Sequence, residues 1–314
     1  MDSNTIYTKE MFQKAPRELR ESETIKRPSI SYWSDVWRRL KLNKLAMAGL
    51  VILIILGIMS IIGPYMSDFS YYEQDYSAIN LRPNKTYWFG TDELGRDLFS
   101  RVWLGTRYSL FIGIAAALID FGIGVIYGGI AGMASKRVDA IMMRIAEVIY
   151  SIPYMLIVVL ISVVFSSTGA GTSMFVLILA MTITGWVPMA NLVRGQVLQL
   201  KESEYSMASE SLGASKSWIL KKHIIPNTLG PILVNVTLTI PRAIFSEATL
   251  SFMSLGLQAP RPSLGTLVSD GLAVMPIGLF YQILIPAIII SLVMFSFNVL
   301  GDGLRDALDP RLRK

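Results

Sequence analysis

The chain has 314 residues, of which 52% are hydrophobic and only 17% charged, with a mean hydropathy of +0.48 and a net charge of +6. Typical soluble chains carry about 25% charged residues, and a core of this size cannot hide such an apolar surplus, so the composition is that of a polytopic membrane protein. There is no cysteine and one histidine, His223. A disulfide scaffold, thiolate catalysis and cysteine-ligated metals are therefore excluded, and a histidine metal site is disfavoured.

Residues 1–30 are polar and without periodicity. Trp33, Val36, Trp37 and Leu40 then fall on one helical face, with Arg38, Arg39 and Lys41 elsewhere, which predicts an amphipathic helix near 32–41 lying in the cytoplasmic interface. Leu45–Gly63 is an uncharged run long enough to cross about 30 Å of hydrocarbon. A polar leader of 44 residues before it speaks against a cleaved signal peptide. Further spans are expected at Tyr108–Ala134, Ile145–Ser166, Met174–Val193, Thr228–Leu250 and Ile277–Leu300, six in all. The expected division is thus a cytoplasmic segment 1–44, a six-helix domain 45–300 and a cytoplasmic tail 301–314. Long connections are expected outside the membrane at 65–107 and 251–276 and inside it at 194–227.

Positive charge sets the orientation. Twenty-two Lys and Arg lie in the N-terminal segment, the second and fourth connections and the tail, against six in the opposite connections. Both termini are therefore expected in the cytoplasm. The basic balance is topological and does not describe a nucleic-acid surface.

Within the first long connection, Asp92-Glu93-Leu94-Gly95-Arg96-Asp97 alternates acid and base beside glycine, which favours a salt-bridged turn capping the next helix over a cation site. The cytoplasmic connection is patterned: Tyr205, Ala208 and Leu212 lie at helical spacing, Gly213 interrupts, and Trp218, Ile219 and Lys221-Lys222-His223 follow up to Pro226. Two short helical pieces are expected, presenting Met207, Leu212 and Trp218 with the small residues Ala208, Ser209 and Ala214, and with Glu210 nearby. A solvated loop would not need those apolar side chains, so docking against another protein is expected. Asp120, Glu147, Arg242 and Glu247 fall within expected spans, where ionisable groups usually face a bundle interior or a water-filled cavity. Asp120, Arg242 and Glu247 are the candidate pathway residues. Gly124, Gly128 and Gly132 recur every fourth residue, the pattern of close helix packing. Pro153, Pro188 and Pro286 are expected kinks.

Phe89–Arg101, Tyr205–Pro226, Phe252–Leu257 with Pro260, Pro262-Ser263 and Gly265, and Phe297–Arg311 together carry a resemblance. From about Arg38 onward the chain resembles the second of the two homologous membrane-spanning permeases of ATP-binding-cassette importers for oligopeptides and dipeptides. The resemblance implies an all-α type I ABC importer permease fold and a non-catalytic subunit. It implies pairing with a homologous permease and two ATP-binding cassette ATPases that bind ATP and Mg, delivery of short peptides by an extracytoplasmic substrate-binding protein, and a place in the cytoplasmic (inner) membrane. The family's ATPase-coupling loop reads Glu-Ala-Ala, three residues, Gly, then a hydrophobic-Pro end; here these are Met207-Ala208-Ser209, Gly213 and Ile224-Ile225-Pro226. The departures at Met207 and Ser209 remove the Glu that would make a salt bridge and leave shape matching by Ala208 and Gly213. No Gly-x-x-x-x-Gly-Lys-Ser/Thr loop is present, so ATP chemistry falls to a partner. Permeases for nickel, glutathione or opines would share the fold. A secondary transporter or channel, or a sensor that signals without transport, would not need a patterned fourth connection.

A reporter fused after Lys314 is expected to be active only in the cytoplasm. An external signal would overturn the six-span orientation.

Overall fold

The computed structural model describes residues 31–166 and 174–309. Residues 1–30 of the polar leader and the end of the tail, with Arg311, Arg313 and Lys314, lie outside the described residues. Those that are described are helical apart from connections and one isolated bridge between Thr91 and Asp97. Five helices are long and apolar enough to cross a membrane, and a bent pair supplies the sixth span.

Helix α1, Tyr32–Leu42, is amphipathic as expected, but its apolar stripe is divided. Val36 and Leu40 bury against Ala46, Ala307 and Leu308, whereas Trp33 and Trp37 stay exposed. Asn43 ends α1 and accepts from the Ala46 N–H at 3.1 Å, starting α2, Lys44–Ile62. This helix is apolar all round and buries only Ala46, Gly49, Leu56 and Ser60, as a span with a lipid-facing side should.

Helix α3, Leu98–Met133, begins ten residues before the expected span because Asp97 caps it. The Asp97 carboxylate accepts from the backbone N–H groups of Phe99 and Ser100 and from the Ser100 hydroxyl. Thirty-six residues at 1.5 Å each give about 54 Å, well beyond the hydrocarbon thickness. The surplus is the stretch Leu98–Thr106, every residue of which is buried in protein. Asp92 makes the turn before it, accepting from the Leu94 and Arg96 N–H groups and pairing with the guanidinium of Arg96 at 2.7 Å and of Arg101 at 3.3 Å. Arg101 also reaches Asp270 at 3.2 Å. The alternating charges are thus a capping turn. Nearby, the hydroxyl and N–H of Ser77 hold the Asp75 carboxyl below its usual range.

The third span differs from the expected continuous Ile145–Ser166. It is α4, Lys136–Ser151, and α5, Tyr154–Ser166, bent by 76°. The cause is Pro153, which disfavours helical geometry at Ile152; that residue is extended at φ −72°, ψ 124°. Glu147 consequently sits on exposed, amphipathic α4 beside Arg144, outside any straight span. Helix α6, Met174–Leu200, continues past Val193. The short α7, Glu204–Ser211, is followed by α8, Lys216–Ile219. A second difference concerns Pro226, which does not stop the chain. A π-turn at Leu220–Ile224 lets the Ile225 N–H reach back to the Leu220 carbonyl, and α9 runs on from Ile225 to Phe252. Proline in a first helical turn removes no needed donor.

The connection between α9 and the last span contains α10, Leu264–Val274, closed at its start by a capping box between Ser263 and Thr266. The last span, α11, is Tyr281–Leu308, so most of the expected tail is a continuation of this helix. Its first turn grips the first long connection. The Tyr281 hydroxyl lies 2.9 Å from the carbonyls of Leu81 and Thr91, and Gln282 Nε2 donates to Asn80 Oδ1 at 2.9 Å and to the Thr91 carbonyl at 3.0 Å.

Gly124, Gly128 and Gly132 face α6. A Cβ at Gly128 would lie 3.0 Å from the Ala190 Cα, at Gly124 2.6 Å from Met189, and at Gly132 2.7 Å from Val197. Gly128→Leu is expected to lower stability by about 1–3 kcal/mol through overpacking, or to prevent folding, whereas Gly122→Ala, with open space around it, is expected to be neutral. Thermal denaturation of the two variants in detergent checks the contrast, and equal midpoints would contradict it.

Candidate functional site

Two regions carry the sequence-derived candidates. The first is the turn from α7 to α8. Its anchor is Ser206, buried, with its hydroxyl 2.9 Å from the Leu200 carbonyl at the end of α6. Helix α7 ends in a Schellman motif: the Ala214 N–H bonds to the Ser209 carbonyl, the Gly213 N–H bonds to the Glu210 carbonyl, and Gly213 has φ +87°. Only glycine adopts that conformation without cost. Ser215 then caps α8 through the Trp218 N–H.

The result is a tight corner whose apolar groups stand outside the fold. Leu212 is 89% exposed, and Tyr205, Met207 and Trp218 are also exposed, as are Ala208 and Glu210. Ala214 is half-buried against the adjoining core. Ser209 turns its hydroxyl back onto the Tyr205 carbonyl at 2.7 Å, so it presents little more to a partner than an alanine would. His223 lies in the π-turn, its ring 5.0 Å from that of Trp218 and 6.0 Å from that of Tyr205, and so braces the corner from behind.

The second region is a cavity of about 260 Å³ between α3, α5, α6 and α9, at mid-depth in the bundle. Asp120 and Arg242 both line it, together with Tyr154, Pro188, Met189 and Thr239. Asp120 is 6% exposed, and its Oδ1 has no hydrogen-bond partner among the described residues. Gly185 makes room for it: a Cβ there would fall 2.7 Å from that oxygen. Pro188 lacks an N–H, which leaves the Thr184 carbonyl on this wall without its usual helical donor. Arg242 is exposed and pairs with no described carboxylate.

Glu247 does not join them. It is fully buried on the other side of α9, accepting from Ser109 at 2.7 Å and Ser251 at 2.6 Å, with Ser263 as a third hydroxyl partner. The Ser109 hydroxyl in turn accepts from the Leu264 N–H. Glu247 therefore ties α3, α9 and the start of α10 together and is absent from the cavity wall.

Several members of these sites escaped the sequence reading. Asn235, Thr239 and Ser246 join Arg242, already a candidate, at intervals of four, three and four residues, a polar stripe along an otherwise apolar helix that was visible in the sequence. Gly185 and the bidentate pair of Arg194 with Asp139, at 2.5 and 2.6 Å between α6 and α4, carried no such signal.

Residues 124–314 match the family model described as binding-protein-dependent transport system inner membrane component. The chain belongs to this family. Residues 31–83 match the N-terminal TM domain of oligopeptide transport permease C. The dipeptide transport system permease protein DppC of Bacillus subtilis (strain 168) is 55% identical, covering 94% of this chain and 91% of its own length. The oligopeptide transport system permease protein OppC of the same organism is 50% identical over 98% of both chains, and that of Escherichia coli (strain K12) is 39% identical over 93% of this chain and 95% of its own. A solved structure of the MetNI methionine ABC transporter, inward facing, superposes with a TM-score of 0.50 over 64% of this chain and 94% of that one, at 20% identity. That likeness concerns the fold, which is the all-helical, six-span type I ABC importer permease fold. The protein is an integral membrane permease subunit that works with other subunits of a transporter.

The buried serine cluster makes a stability prediction. Glu247→Leu strands the Ser109 and Ser251 hydroxyls and is expected to cost roughly 2–3 kcal/mol, with Glu247→Gln milder because one acceptor survives. Detergent denaturation ranks the variants, and a Leu variant as stable as the Gln variant would contradict the assignment.

Proposed function

We propose that this permease subunit forms half of the translocation pathway of an importer for short peptides in the cytoplasmic membrane, with both termini inside. Its partners are a homologous permease, two ATP-binding cassette subunits that bind ATP and Mg and hydrolyse the nucleotide, and an extracytoplasmic binding protein that delivers the peptide. The cargo reading is supported by near-full-length likeness to relatives named as dipeptide and oligopeptide permeases.

One observation carries the coupling mechanism: the rigid α7–Gly213–α8 corner, which holds Tyr205, Met207, Leu212 and Trp218 out of the fold on the side that collects the positive charge. Such a corner fits a groove on an ATPase subunit. With Met207 in place of the family's Glu, the grip is apolar and steric, through Leu212 and the small Ala208, more than ionic. When the ATPases close on nucleotide the corner moves with them, and the helices continuous with it shift the pathway between inward and outward access. The transition is a rigid-body change biased by a ligand bound to another subunit. Asp120 and Arg242 lie along that pathway in this reading. Residues 1–44 and 301–314 flank the transmembrane domain on its cytoplasmic side.

The test uses a strain lacking the gene, complemented with the wild type, Gly213→Ala or Gly213→Arg, and grown on defined di- to octapeptides with the medium read by mass spectrometry. Wild type is expected to deplete short peptides. Gly213→Arg should insert normally but lose the co-purifying ATPases and leave the peptides in the medium. Gly213→Ala separates backbone strain from bulk, because a Cβ there meets nothing within 4 Å. Normal ATPase recovery with Gly213→Arg would sink the docking reading. Unchanged peptide levels in the deletion strain, with other peptide importers removed, would sink the cargo reading.

A further inference from the structure

Charged groups inside a membrane bundle are costly, and those that persist are usually paired or face water. Asp120 is neither paired nor open. It is 94% buried by its 6% exposure, its Oδ1 has no partner among the described residues, and it forms the wall of a cavity of about 260 Å³. Its position is built: Gly185 is the gap in α6 that admits the carboxylate. Nothing on its own side neutralises it. Ser109, Ser251 and Ser263 serve Glu247, and the Tyr154 hydroxyl on the same wall is likewise unpartnered.

Across the cavity the charge is of opposite sign. Arg242 is exposed on the polar stripe of α9, while Thr239 has turned its hydroxyl back onto the Asn235 carbonyl at 2.8 Å. Among the described residues, Asp120 is the one carboxyl group and Arg242 the one cation lining this cavity. The rest of the lining mixes apolar and aromatic side chains, Met181, Met189, Tyr150 and Tyr154 among them, with the uncharged polar residues Thr184, Asn235, Thr239 and Ser246. A cavity with a buried carboxyl group at one place, an exposed guanidinium at another and apolar side chains among the rest of its lining is complementary to a zwitterion with a hydrophobic body.

Resting on the peptide reading above, we propose that Asp120 receives the free α-ammonium group of the peptide in transit and that Arg242 receives its carboxylate end. A charge-assisted hydrogen bond supplies the partner that Oδ1 lacks. It also sets a specificity: peptides with a free amino terminus pass, and peptides whose terminus is acylated lose the contact. Because the contact is made within the moving pathway, its effect falls on transport and not on capture by the binding protein.

The experiment uses the complete importer in cells and two probes, trialanine and N-acetyl-trialanine, with initial uptake measured for wild type, Asp120→Asn and Asp120→Glu. The ratio of the two uptake rates, taken relative to wild type, cancels the selectivity of the shared binding protein. In Asp120→Asn this ratio is expected to fall about tenfold, equivalent to about 1.4 kcal/mol of lost discrimination, and in Asp120→Glu to stay near wild type. An unchanged ratio in the Asn variant overturns the proposal whatever the absolute rates. Loss of the assembled complex in that variant also overturns it, because a packing role then accounts for the carboxylate. Arg242→Gln, on an exposed face, repeats the test at the other end with trialanine amide as the second probe; an unchanged ratio there removes Arg242 from the proposal. Uptake of neither peptide by the wild-type importer would overturn the peptide reading itself, a result separate from any effect of the variants.

Discussion

Helices surrounded by lipid gain little by hiding apolar side chains from one another, so close contact between them must come from shape. In this protein the constraint is met along one seam, where α3 and α6 approach through Gly124, Gly128 and Gly132, so closely that a single methyl group would strike backbone or β-carbon atoms opposite. The same logic extends one turn outward to Gly185, where the space left by a missing side chain is taken by the Asp120 carboxylate. Packing and site are thus one feature. The close approach that holds the two helices together also fixes a buried carboxyl group at the cavity wall, and a looser seam would let that group turn away.

The ends of the bundle are held differently. At the end that holds the first long connection, ion pairs and caps do the work: Asp92 with Arg96 and Arg101, Asp97 at the start of α3, and the Tyr281–Gln282 clamp on that connection. At the opposite end, the bidentate Arg194–Asp139 pair joins α6 to α4, and Lys201 reaches the Gly132 carbonyl at 3.1 Å. Polar contacts are thus concentrated toward the wet ends, while the middle is packed by size, the Glu247–serine cluster excepted. That cluster shows how a buried carboxylate is made tolerable, by saturating its oxygens with hydroxyl donors. Asp120, without such donors, is the contrasting case.

Much of this was legible in the sequence because hydropathy, glycine spacing and charge asymmetry are local signals. Six apolar runs stood out, the every-fourth-residue glycines announced a packing face, and Gly213 announced a corner. What was not legible depended on partners distant in the chain. The expected span began at Tyr108, whereas α3 begins at Leu98, because the long connection and α10 bury its polar first turns, Arg101 included, in protein. Pro153 and Pro226 are both helix breakers by local rule, yet the first breaks its span by 76° and the second sits inside a continuous helix, because a π-turn had already shifted the hydrogen-bond register ahead of it. Asp120 and Glu247 were alike as intramembrane acids; only the serines of α3, α9 and the α10 cap distinguish them.

The continuity of the chain from Lys216 to Phe252 has a mechanical consequence. Trp218 at the α7–α8 corner and Arg242 on the cavity wall lie 24 residues apart on the same rod, about 36 Å at 1.5 Å per residue. A rod of that length behaves as a lever. Tilting it by about 5° with one end held displaces the other by about 3 Å, comparable to the reach of a hydrogen bond. The π-turn at Leu220–Ile224 is the natural point of compliance near the handle, since its hydrogen bonds are already out of the regular ladder. Motion too small to rearrange the α7–α8 corner is therefore large enough, by geometry alone, to bring a guanidinium within reach of a passing charge or to take it away.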